Sequence, residues 1–135
     1  MALNVQLLRA SFEVVATANP RFITRFYEIL FERYPRTQAM FPPGGRARQA
    51  EMLTGALVAV LDHLEDAPWL KDTLGALGAK HVGYGVSREM YDWVGASLLA
   101  TLAEVAGPQW TPELQGAWSE AYGAIASMML AHARA

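Results

Sequence analysis

Apolar residues along this chain recur at intervals of three and four rather than two, the spacing of helices that each bury one face, so an all-α protein is expected. Leu3, Leu7 or Leu8, Phe12 and Val15 form the first stripe. Asn19-Pro20 then pairs a capping residue with a proline at the first helical position and predicts a second helix from that point. Its face carries Phe22, Phe26 and Leu30, with Ile23, Tyr27 and Phe31 beside them, until Tyr34-Pro35, where proline disfavours helical backbone in the residue before it. A short turn runs to about Phe41. Pro42-Pro43-Gly44-Gly45, the strongest breaker in the sequence, marks a corner.

From about Arg46 to Leu64, the set Met52, Leu53, Ala56, Leu57, Val60, Leu61 and Leu64 fits a period of 3.6, and Gln49 falls on the same face. Leu70, Leu74 and Leu77 lead directly into His81, which makes the histidine the next member of an apolar face. Gly83, Gly85 and the capping residue Ser87 close one helix and open another, carried by Tyr91, Val94, Leu98, Leu102 and Val105 to Gly107-Pro108. Thr111-Pro112-Glu113 combines an N-cap, a first-turn proline and a carboxylate suited to the helix dipole, and opens a last helix through Leu114, Trp118, Tyr122, Ile125 and Met129. No repeat, low-complexity tract or linker interrupts the pattern. One domain spanning 1–135, built of six or seven helices, is expected.

Composition narrows the function. A chain of 135 residues can bury roughly 68–70% of its unfolded surface around one core. With 53% hydrophobic and 18% charged residues it is too apolar to be disordered. No stretch of about 18 residues is free of charges and helix breakers, so a membrane span is not expected. A net charge of −2 and a pI near 5.9 supply no attraction for nucleic acid or anionic lipid. The absence of cysteine excludes disulfides, thiolate metal sites and cysteine nucleophiles. Arg9 and Glu13 interrupt the apolar run that a secretion signal would need, and a cytoplasmic location is expected.

Three histidines, His63, His81 and His132, are the candidate nitrogen ligands. His63 sits at the polar end of its helix, and His132 lies three residues from the C-terminus. A single histidine on an apolar face is most often a core residue bonded to backbone, and His81 meets that description as well. There is no His-Glu-x-x-His pair, glycine-rich phosphate loop or Gly-x-Ser-x-Gly elbow, and Asp62, Glu65 and Asp66 read as a solvated helix end. One imidazole suffices for a metal that brings its other ligands with it, as iron does in haem.

The segment from Leu77 to Val86, with Lys80-His81 and Tyr84-Gly85-Val86, resembles the proximal histidine region of bacterial single-domain globins and of the haem domain of flavohaemoglobins. Phe26-Tyr27, Tyr34-Pro35, Phe41, Tyr91, Ala117-Trp118 and Tyr122-Gly123 are similar to other parts of that family, in order along nearly the whole chain. The resemblance implies a globin fold of six to eight helices around a haem b pocket. His81 would bind the iron through Nε2, with its Nδ1–H donating to a carbonyl near Leu77. Phe41 would pack on the haem face and Tyr27 would turn its hydroxyl toward bound gas. Gln49 would occupy the distal position, with Leu53 one turn later, although a shortened corner keeps Arg46 and Arg48 in contention. Lys80 would meet a propionate, and Tyr84, Val86 and Tyr91 would complete the cofactor contacts.

Flavohaemoglobins also join the proximal histidine to a tyrosine and a late glutamate. Tyr91 matches the tyrosine, but the glutamate's place falls at about Ala133 and no carboxylate follows Glu120, so His81 should be a less electron-rich ligand. The implied function is reversible binding of dioxygen, nitric oxide and carbon monoxide. A dioxygenase variant, combining dioxygen and nitric oxide into nitrate, would need an external reductase, because no residues are left over for flavin or nicotinamide sites. The alternative is a haem-free globin-like module that serves in signalling or protein contacts.

Overall fold

The Asn4 side chain accepts from the backbone N–H of Leu7 at 3.2 Å and so starts α1 (Val5–Ala18). The computed structural model describes residues 4–41 and 43–133; Leu3 and Pro42, and the side chains of Pro43, His132 and Ala133, lie outside the described residues. α1 buries Leu8, Ser11 and Val15. Ser11 belongs to that face because its hydroxyl donates to the carbonyls of Leu7 and Leu8 and accepts from the Trp118 indole N–H at 2.9 Å.

α2 (Phe22–Arg33) begins later than the expected start at Asn19-Pro20. Asn19 caps a tight turn instead: its side chain accepts from Arg21 N–H at 3.0 Å and its carbonyl from Phe22 N–H at 3.0 Å. α2 buries seven of its twelve residues and is the central element of the larger core. After Tyr34 a 3-10 segment, Pro35–Met40, leads to Phe41, and another, Pro43–Gly45, leads into α3 (Arg46–Asp62).

Met52 departs from the expected core of α3. It is 58% exposed, because the inward face centres on Leu53, Leu57 and Val60 and Met52 stands about 100° of helix rotation from Leu53. Leu61 is the only residue of α3 that is buried. The far end of the helix is tied to α1, where Arg9 donates to the Leu61 carbonyl at 2.7 Å and to the Asp62 carbonyl at 3.2 Å.

α4 (Ala67–Gly83), α5 (Arg88–Ala106) and α6 (Pro112–Ala133) complete the chain. Gly85, at φ +79°, makes the turn between α4 and α5, a conformation that costs glycine little. The Thr111 hydroxyl accepts from Leu114 N–H at 3.2 Å and caps α6. α4 and α6 cross so closely at Gly78 that the Met129 carbonyl occupies the place a Cβ would need. α2 packs on α5, where Arg25 grips Glu104 at 2.7 and 2.9 Å. No strand occurs among the described residues, and none of their helices is long and apolar enough to cross a membrane. The buried residues fall into two clusters, a large one around α2 and a smaller one of Leu70, Leu74, Tyr91 and Met129.

Candidate functional site

Between the two clusters lies a cavity of about 200 Å³. α3 supplies Leu53, Leu57 and Val60 to its wall, α4 supplies Leu74, Leu77 and His81, and α5 and α6 supply Met90, Val94, Ile125 and Met129 among others. The wall is hydrocarbon apart from His81 and the aromatic polar groups of Tyr91, Tyr122 and Trp118.

The helical spacing Leu70, Leu74, Leu77, His81 carries the imidazole to this wall. His81 Nδ1 lies 2.7 Å from the Leu77 carbonyl oxygen. A carbonyl can only accept, so Nδ1 carries the proton, and in the neutral ring Nε2 is left with a free lone pair. His63 makes the same kind of bond, to the Ala59 carbonyl at 2.8 Å, but its ring stacks on Trp69 at 4.0 Å and takes no part in the cavity. The described residues contain no group of three or more His, Cys, Asp or Glu able to hold a metal ion. The cavity can accept an apolar group, to which the imidazole offers one nitrogen lone pair.

Tyr91 stands beside this imidazole, with 6.1 Å between ring centroids, and is 7% exposed. Its hydroxyl has no hydrogen-bond partner among the described residues, and burial pushes its pKa upward.

Tyr27, Phe31 and Phe41 form an aromatic triangle with centroid separations of 5.2 to 5.9 Å, outside the cavity wall and next to Phe26, which is on it. Burial pushes the Tyr27 phenol up to about 12, a rise that the nearby Gln49 side chain partly opposes. Tyr27 and Gln49, 22 positions apart in sequence, are thus brought together one layer behind Phe26 and Leu53.

The family model for globins matches residues 24–129. The chain belongs to the globin family. A flavohemoprotein of Rhodopirellula baltica is 36% identical over 119 residues, which is 86% of this chain and 29% of the relative. That of Bordetella pertussis is 31% identical over 131 residues, 96% of this chain and 33% of the relative. The globin therefore spans about a third of the length of the curated relatives it matches. Among solved structures, a bacterial globin from Campylobacter jejuni superposes with a TM-score of 0.82 at 24% identity, covering 96% of this chain and 94% of that one, a likeness of fold. An engineered carbene transferase from Rhodothermus marinus, made from a protein assigned as a nitric oxide dioxygenase, superposes at 0.80 with 30% identity, covering 96% and 91%.

Other expected site residues of this globin are placed unevenly. Leu53 and Val86 line the cavity. Lys80 is exposed and Tyr84 is 69% exposed, both away from the wall, because α4 ends at Gly83 and Tyr84, its C-cap, turns to solvent. Arg46 is spoken for elsewhere: its guanidinium lies 4.8 Å above the Phe31 ring and its Nε–H donates to the Phe41 carbonyl at 3.0 Å. Arg48 is exposed. The side chain of Ala133, at the place of the family's glutamate, lies outside the described residues, as does that of His132.

Tyr122 is the wall residue whose part the sequence left unassigned. Its hydroxyl donates to the Tyr91 carbonyl at 2.6 Å and its ring rests on Gly95, where a Cβ would come within 2.6 Å of it. A glycine in mid-helix, at a cost of about 0.5–1 kcal/mol relative to alanine, is the one signal that could have pointed to it.

Proposed function

We propose that this globin, acting as a single unit over 1–135, holds haem b in the cavity through His81 and binds diatomic gases reversibly. The observation that carries this reading is the Nδ1–H bond from His81 to the Leu77 carbonyl, which leaves one nitrogen lone pair in an otherwise hydrocarbon cavity. Haem bound there would supply an iron with a free coordination position for dioxygen, nitric oxide or carbon monoxide. The chain's own part is to hold, exclude and donate. Leu53, Leu57 and Val60 on one side and Leu77, Val86 and Met90 on another keep water from the cofactor. Tyr27 and Gln49 would serve as the donor pair for a gas ligand that carries partial negative charge once bound haem parts Phe26 and Leu53 from in front of them. The flavohemoprotein relatives and the structural likeness to a protein assigned as a nitric oxide dioxygenase support a conversion of nitric oxide and dioxygen to nitrate as well. That conversion requires electrons from a reductase outside residues 1–135. A cysteine-free chain suits a reducing cytoplasm.

Absorption spectroscopy tests the assignment. The purified protein should take up haem with a Soret band, His81→Ala should lose it or bind haem weakly, and His63→Ala should keep the parent spectrum. A normal ferrous spectrum for His81→Ala would remove the ligand assignment. Failure of the parent protein to bind added haem would leave a haem-free helical module.

A further inference from the structure

We infer that Arg46 is a positioning residue that holds the first half of α3, which carries Gln49, against the Phe31–Phe41 pair that packs on Tyr27. The inference rests on the distal roles proposed above. α3 needs such an anchor. Its single buried residue, Leu61, is near its far end, where Arg9 also binds the Leu61 and Asp62 carbonyls. Its first turn has no side-chain cap and comes after Gly44 and Gly45, both exposed and with open space where side chains would be.

Arg46 is the first residue after the glycines and makes two contacts of different kinds. The guanidinium sits 4.8 Å over the Phe31 ring, a cation–π contact to α2, and Nε–H reaches the Phe41 carbonyl at 3.0 Å, a bond to the corner. Both rings belong to the triangle that encloses Tyr27, at 5.9 Å from Phe31 and 5.2 Å from Phe41. Gln49 is three residues further along α3, on the neighbouring turn. One side chain thus ties together the helix that bears the amide, the helix that bears the phenol and the aromatic packing around them. α3 is pinned at both ends by arginines, and the Leu53–Leu57–Val60 wall of the cavity is the span between.

The test combines a double-mutant cycle with hydrogen exchange. Arg46→Met keeps an apolar stem and removes both contacts; Arg46→Lys keeps the cation. Arg46→Met should speed dioxygen dissociation about three- to tenfold, a fraction of the worth of one cation–π contact and one hydrogen bond because only part of the loss is transmitted to the ligand, with little change for carbon monoxide. In a Tyr27→Phe background the same change should have less than about a twofold effect, since it acts through that hydroxyl. Arg46→Lys should recover part of the loss. In haem-free protein, amides of α3 should exchange faster in Arg46→Met while those of α5 and α6 keep their rates. Equal effects in both backgrounds, no effect, or faster exchange throughout the molecule would each overturn the inference. Should Tyr27→Phe itself leave dioxygen release unchanged, the distal reading fails, and unaltered α3 exchange in Arg46→Met would separately show that Arg46 anchors nothing.

Discussion

His63 and His81 make the same bond to a carbonyl four residues earlier, yet only one faces the cavity. Their helix faces end differently: His81 extends a leucine stripe into open space, whereas His63 ends its helix against Trp69. Tyr27 shows the same dependence on surroundings. A hydroxyl donating to a partly charged ligand is worth about 1.5–3 kcal/mol, so Tyr27→Phe should speed dioxygen dissociation by roughly ten- to 150-fold and leave carbon monoxide release nearly unchanged. Stopped-flow mixing checks this, and small equal effects on both gases would mean that the hydroxyl does not meet the ligand. With its phenol pushed up to about 12, Tyr27 keeps its proton at neutral pH, and dioxygen release should be flat from about pH 6 to 9. Because the folded state holds that proton more tightly than the unfolded one, the associated stability is complete below pH 10 and declines as pH rises from 10 toward 12. Urea midpoints should fall over that interval, less steeply in Tyr27→Phe.

Helix ends were legible where one residue decides them. Thr111 caps α6 through its side chain, Ser87 stands at the N-cap of α5, and Gly107, at φ +58°, closes α5. Asn19 misled because the same side chain can cap a turn or a helix, and the start of α2 was set by packing of Phe22 and Ile23 into the core. Crossings were not legible. Gly78 lies on the side of α4 that meets the Met129 carbonyl, a contact between residues 51 positions apart. Gly78→Ala should force α4 and α6 apart and cost about 2–3 kcal/mol in urea unfolding, since backbone cannot step aside as a side chain can. Gly55→Ala, with open space at the same atom, should be neutral or stabilising through helix propensity and serves as the control.

At the scale of the molecule, two clusters of apolar side chains leave a cavity between them, and the unpartnered Tyr91 hydroxyl beside His81 bears on how the whole site behaves. With no carboxylate on that hydroxyl among the described residues, the iron–histidine stretch in resonance Raman should fall below that of a flavohemoprotein recorded alongside. The 135-residue chain alone, once loaded with haem and dioxygen, should convert nitric oxide to nitrate for one stoichiometric round and turn over repeatedly only with an added reductase. Sustained nitric oxide consumption with NADH alone, in protein free of flavoenzymes, would contradict this.

Periodicity, caps and breakers are local, acting over three or four residues, and by themselves they determined that the chain is helical, where most helices stop, and that His81 continues an apolar face. Family membership was legible for a related reason: Lys80-His81, Tyr84-Gly85-Val86 and Trp118 stand in order at spacings that helices impose. Tertiary structure alone decided that Arg46 clasps Phe31 and Phe41, that Tyr84 and Met52 face solvent, and that Tyr122 holds the Tyr91 carbonyl. Each of these depends on how far one helix is rotated and shifted against another. That geometry comes from the fit of many side chains at once, and no single stretch of sequence contains it.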